Sequence, residues 1–153
     1  MIPIKDSLRY FRNAPFPIKQ PKNANRRTDA GENLLSIQFA SYLREMTLTG
    51  RCSCVWTKIA HETSGKSHAF GNLMRNMGKM AGVPDFIFTS KNITLWLELK
   101  DGKSKKLSPD QEFFKKWCEG TGSKWAIAYT LHQAISLLEA EGIVSGKDNN
   151  FST

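Results

Sequence analysis

Asp85 and Glu98, with Lys100 two residues beyond Glu98, are the side chains whose types and spacing point to a chemistry. Two carboxylates beside one lysine make a hard-oxygen site suited to magnesium or manganese. A cation held there would stabilise charge on a scissile phosphate and lower the pKa of a bound water. Lys100 would orient that water or meet the charge developing on the phosphorane. The chemistry is metal-assisted phosphodiester hydrolysis. For a bare Glu-x-Lys the competing reading is an exposed ion pair contributing under about 1 kcal/mol.

Convergence of these groups depends on the elements that carry them. Asp85–Thr89 (DFIFT) and Ile93–Lys100 (ITLWLELK) are β-rich runs joined by Ser-Lys-Asn. A two-residue loop at Lys91-Asn92 pairs Ser90 with Ile93 and, further down the hairpin, Asp85 with Glu98. Alternation puts Leu95, Leu97 and Leu99 on one face and Trp96, Glu98 and Lys100 on the other. Trp96 is expected to pack in the core rather than stack on a base. Both carboxylates and the amine then meet at the open end of one hairpin.

Other elements follow from period and punctuation. Leu35, Phe39, Leu43 and Met46 keep helical spacing from about Ala30 to Met46, with Leu34, Ile37 and Tyr42 widening the face. Asp29 is placed as N-cap, Glu32 three residues on completes a capping box, and Gly50 marks the exit. Residues 52–59 read as a strand and 61–72 as a polar loop. A short helix around Leu73–Met80 is expected to end at Gly82. Ser108 and Pro109 open a helix through about Cys118, with Gln111 completing a second capping box. Lys124–Thr130 reads as a strand and Leu131–Val144 as a helix burying Ala134, Ile135 and Leu138. The order α-β-α-β-β-α-β-α predicts an α/β fold, a mixed sheet with helices on it.

Composition narrows the partner. The 153 residues are one domain's length, with 24% charged and 40% hydrophobic residues, a globular rather than disordered profile. No run of 18 apolar residues could span a membrane, and the first residues lack the apolar stretch of a secretory signal. Cys52, Cys54 and Cys118 are too few for a disulfide scaffold, and the lone C-x-C is a poor zinc signal. A reducing cytoplasm is expected. The net charge of +8 favours a polyanionic partner. Residues 1–29 carry seven basic and two acidic side chains, and residues 118–153 two and four. Four of the six prolines lie in residues 1–27, so residues 1–28 read as a basic, irregular arm and 29–153 as a single domain.

Gly82-Val83-Pro84-Asp85, then twelve residues, then Glu98-Leu99-Lys100, resembles the PD-(D/E)xK nuclease signature. Gly-Val-Pro-Asp-Phe, Leu-Glu-Leu-Lys and Leu107-Ser108-Pro109-Asp110-Gln111 together resemble its VRR-NUC branch, the virus-type replication-repair nucleases, over roughly residues 30–140. The resemblance implies Asp85 and Glu98 as metal-binding carboxylates, the Leu99 carbonyl as a further ligand and Lys100 as the catalytic lysine. It also implies Glu32 in the metal shell and Gln111 in the catalytic set, although helix capping explains either residue equally well. His61 is a weaker candidate beside a glycine-bearing turn. Arg75 and Lys79 on the preceding helix, with Lys103, Lys105 and Lys106 beyond the catalytic strand, would follow a DNA backbone or form a solvated rim.

A magnesium- or manganese-dependent endonuclease acting on DNA is thus expected, in the cytoplasm of a bacterium or phage-infected cell if the resemblance holds. A homodimer cutting branched DNA, four-way junctions foremost, fits the need for two opposed nicks from single-site chains. A non-catalytic nucleic-acid-binding protein on the same fold is the alternative. RNA remains open as substrate, since the chemistry addresses the phosphate and not the sugar.

Overall fold

The computed structural model describes residues 30–60, 68–102 and 106–146, with the side chains of Ala30 and Glu32 excepted. The arm at 1–28, the Asp29 cap, His61, Lys103, Lys105 and the Glu32 carboxylate therefore lie outside the described residues. The elements are α1 (Ala30–Leu48), β1 (Val55–Lys58), α2 (His68–Asn76), β2 (Phe86–Thr89), β3 (Thr94–Leu99), α3 (Pro109–Gly120), β4 (Lys124–Ala128) and α4 (Leu131–Ala140). The expected order holds, and the chain is α/β with one four-stranded mixed sheet in the order β1-β2-β3-β4.

Among the described residues two compact units emerge, one drawn from 30–55, 99–102 and 127–146, the other from 56–60, 68–98 and 106–126. In the first, α1 packs on α4. Leu35, Phe39, Leu43 and Met46 are all buried, as are Ala134, Leu138, Ile143 and Val144. Ile37, expected to widen the apolar face of α1, is instead exposed, and Ile135 on α4 is half-buried. The second unit is built on the β2–β3 hairpin, whose buried face carries Phe86, Phe88, Leu95 and Leu97. Its register is Phe86 with Leu97, Ile87 with Trp96, Phe88 with Leu95 and Thr89 with Thr94. The Ser90 N–H donates to the Ile93 carbonyl at 2.9 Å, closing the two-residue loop as the sequence predicts.

Several boundaries differ from expectation for local reasons. The β1 strand is only Val55–Lys58, because Cys52 bridges Val144 and the Ser53 N–H donates to the Ile143 carbonyl before the chain bends at Cys54. The α2 helix starts at His68 and ends at Asn76, where Gly78 (φ 95°) and not Gly82 supplies the stop. The Gly78 N–H bonds to the Arg75 carbonyl and the Lys79 N–H to the Met74 carbonyl, a Schellman closure that needs the left-handed residue at Gly78. Lys79 therefore stands beyond the helix it was expected to occupy. The last strand stops at Ala128, since Thr130 turns out to cap α4 by accepting from the Gln133 N–H. That helix ends at Ala140 rather than Val144, which frees Val144 to bridge Cys52.

No helix among the described residues is long and apolar enough to cross a membrane. The three cysteines are free thiols, Cys54 and Cys118 buried and Cys52 half-buried.

Candidate active site

The hairpin register, carried one step past Phe86 and Leu97, sets Asp85 opposite Glu98 on the face that also bears Trp96. Sequence alternation accounts for that face but not for its cover. Leu97, Glu98 and Leu99 are all buried, so both sides of β3 are enclosed at this point, and Glu98 is only 5% exposed. The cover is α3, whose Phe114 meets Trp96 edge-on with ring centroids 5.1 Å apart.

Glu98 is held from α3. The Gln111 side-chain amide donates from Nε2 to Glu98 Oε1 at 2.6 Å. The same side chain accepts at Oε1 from the Ser108 N–H at 3.0 Å, while the Gln111 N–H donates to Ser108 Oγ at 3.2 Å. Capping and site use therefore do not compete at Gln111. Its carbonyl end completes the capping box and its amide end holds the buried carboxylate. The helix start that makes this possible is written locally as Ser-Pro-x-Gln, with Pro109 in the first turn where its missing N–H costs nothing.

Asp85 is fixed from the other side of the hairpin. Its carbonyl accepts from the Ile59 N–H at 2.7 Å. Its carboxylate takes Lys58 Nζ at 3.4 Å, with the two side chains 19% and 44% exposed. Lys58 also lies over the Phe86 ring, 5.3 Å from the centroid, beside Trp56, whose ring is 6.5 Å from that of Phe86. Sequence reasoning missed Lys58. The signal was present in Val-Trp-Thr-Lys, where strand alternation puts Trp56 and Lys58 on one face.

Gly82 sets the distance between this segment and α3. A Cβ at Gly82 would stand 2.2 Å from the Asp110 carbonyl oxygen and 2.6 Å from the Gln111 nitrogen, and φ is 76°. Glycine is required here for close approach, a different duty from the helix stop expected of it.

Of the remaining candidates, Leu99 and Lys100 follow Glu98 directly in the chain, and the Lys100 N–H donates to the Ala128 carbonyl at 3.0 Å. Arg75 is exposed on α2 and donates to Asn72 Oδ1, Lys79 is half-buried, and Lys106 is exposed. Among the described residues no group of three or more His, Cys, Asp or Glu comes together as a cation site. Asp85, directly before β2, and Glu98, on β3, are the two carboxylates of the hairpin segment. Such oxygen donors fit a hard divalent cation. Compared with family models, curated proteins and solved structures, the chain matches none.

Proposed function

We propose that the protein is a metal-dependent endonuclease of PD-(D/E)xK type, similar to the VRR-NUC branch, that hydrolyses DNA phosphodiester bonds. The observation that carries this reading is a buried Glu98 held by Gln111 on one strand of a hairpin, with Asp85 directly before the first residue of the strand paired to it.

Asp85 and Glu98 are the carboxylates to hold magnesium or manganese, and the resemblance to the nuclease signature adds the Leu99 carbonyl and the Glu32 carboxylate as candidate ligands. The bound ion supplies charge stabilisation at the phosphate and a water of lowered pKa. Gln111 fixes the orientation of the Glu98 carboxylate by occupying Oε1. Lys58 pairs with Asp85 and would compete with a cation bound there. Lys100 orients the attacking water or meets the negative charge at the phosphate. Arg75, Lys79, Lys103, Lys105 and Lys106 contribute phosphate contacts that position the strand without reading its sequence. A homodimer acting on branched DNA would supply the two nicks that a junction needs.

The deciding experiment is end-labelled duplex, flap, splayed-arm and four-way-junction DNA incubated with magnesium, manganese or EDTA. Glu98→Ala should lose both metal binding, by calorimetry, and cleavage; Lys100→Ala should lose cleavage and keep metal binding. Undiminished cleavage by Glu98→Ala would sink the assignment. Binding of all four DNAs without metal-dependent cutting would favour the non-catalytic reading, for which the Lys58–Asp85 pair is the supporting observation.

A further inference from the structure

Beside the carboxylate pair, wholly within the second unit, lies an apolar hollow of about 550 Å³. Its walls include Ile59, Phe70, Met74, Trp96, Phe114 and Trp117, with Lys79 the charged residue among those lining it. Two elements link it to the site. On β3, Trp96 precedes Glu98 by two residues, about 7 Å along the same face. On α3, Phe114 comes one turn after Gln111, which grips Glu98, and its ring meets both Trp96 and Trp117 edge-on. Trp117 is 48% exposed, a large aromatic surface left open to solvent beside the hollow.

We propose that this hollow receives a single unstacked nucleobase of the strand being cleaved. The proposal rests on the nuclease reading and adds a substrate feature to it. A base is a flat π-system with polar edges, and aromatic walls bind any base through its face. The phosphates on either side of that base need cations, and Lys79 in the wall and Arg75 on α2 complement them. The volume lies in the range of small-ligand sites rather than of protein–protein grooves. An extruded base is also easiest to obtain where a duplex is already opened, as at the branch point of a junction or in a flap. Recognition would then be of unpaired structure and not of sequence.

The test uses the full chain with calcium in place of magnesium, so that binding is read without turnover. Paired single-stranded oligonucleotides, one intact and one with an abasic residue at a central position, are compared by fluorescence anisotropy. A third strand carries 2-aminopurine at that position as a stacking reporter. The expected result is about 10-fold weaker binding of the abasic strand by the wild-type chain, and quenching of 2-aminopurine on binding. Trp117→Ala should weaken intact-strand binding by a similar factor and leave abasic-strand binding unchanged, while Trp117→Tyr keeps the discrimination. Equal affinity for intact and abasic strands, with cleavage retained, overturns the base pocket and leaves the nuclease reading standing. Loss of dimer mass in Trp117→Ala without any base dependence overturns it too, and assigns the face to self-association. Base discrimination that appears only after removal of residues 1–27 overturns it in the full chain, with the arm as the occupant. If the wild-type chain neither binds nor cuts any nucleic acid, the nuclease reading falls and the pocket proposal with it.

Discussion

Replacing Gln111 tests the link between helix start and site most directly. Gln111→Ala removes two interactions at once. The Ser108 N–H loses its acceptor, a capping loss of about 0.5–1 kcal/mol. Glu98, 5% exposed, loses a donor at 2.6 Å, a loss of about 1.5–3 kcal/mol for a buried acceptor. Together these give about 2–4 kcal/mol, and for a chain of this size a fall in Tm of roughly 4–16 °C. Gln111→Glu separates the two parts. It keeps an oxygen for the Ser108 N–H but sets a carboxylate against Glu98. One proton must then be shared, so the folded pair has a pKa above that of the unfolded glutamates. Stability of that variant is therefore full at low pH and is lost as pH rises through the pair's folded value. Urea unfolding at pH 5 and pH 8 should show Gln111→Glu losing much more than wild type at the higher pH. A Gln111→Ala chain within about 0.5 kcal/mol of wild type, or a Gln111→Glu chain with no added pH dependence, refutes the reasoning.

Gly82→Ala and Gly78→Ala share a left-handed backbone but differ in space, with Asp110 O at 2.2 Å in one case and nothing within 4 Å in the other. Gly78→Ala should cost about 1–2 kcal/mol; Gly82→Ala should cost roughly 2–5, by adding overpacking, and should also weaken cleavage by shifting the start of α3, with equal costs counting against it. Lys58→Met keeps the apolar stem over Phe86 and removes the cation competing at Asp85, so manganese affinity by calorimetry should rise about 1.5- to 5-fold, and a fall would reverse the assignment. Burial holds the thiols of Cys52 and Cys118 and the Tyr42 hydroxyl above their ordinary pKa values, with Glu119 adding to Cys118 and Glu139 to Tyr42. The unfolded chain loses those protons first, so stability should decline as pH rises above about 8.5, and less steeply in Cys52→Ser or Cys118→Ser. A urea midpoint that climbs from pH 8 to pH 10 contradicts this.

The hairpin was legible because two alternating runs separated by two residues leave little freedom of register; a slip by one would turn Phe86, Phe88, Leu95 and Leu97 out of the core. The start of α3 was legible because Ser108, Pro109 and Gln111 act within a single turn. Boundaries set by distant partners were not. Cys52 looks like strand, yet it pairs with Val144, some 90 residues away, and not with the sheet. The choice between Gly78 and Gly82 as helix stop depended on what each glycine faces, and only the position of α3 reveals that Gly82 is needed for contact. Asp85 and Glu98 could be placed opposite each other from parity alone. Their different surroundings, an ion pair for one and a buried amide for the other, depend on β1 and α3 and are absent from the hairpin's own sequence.

That difference bears on why the site is built this way. A leucine in place of Glu98 would continue Leu95, Leu97 and Leu99 into a strand apolar on both faces and would avoid desolvating a charge. Replacement of a buried ion by a packed apolar residue is often neutral or stabilising. The fold instead retains the carboxylate, commits the third residue of a capping box to hold it, and brings Gly82 against the Gln111 nitrogen with no room for a methyl group. Three locally ordinary features, a cap, a glycine and a hairpin, are thereby tied to the orientation of one carboxylate. All three converge on Glu98. Departures of this kind from the locally best choice are what a functional site predicts, and the Gln111 and Gly82 variants test whether cleavage depends on them.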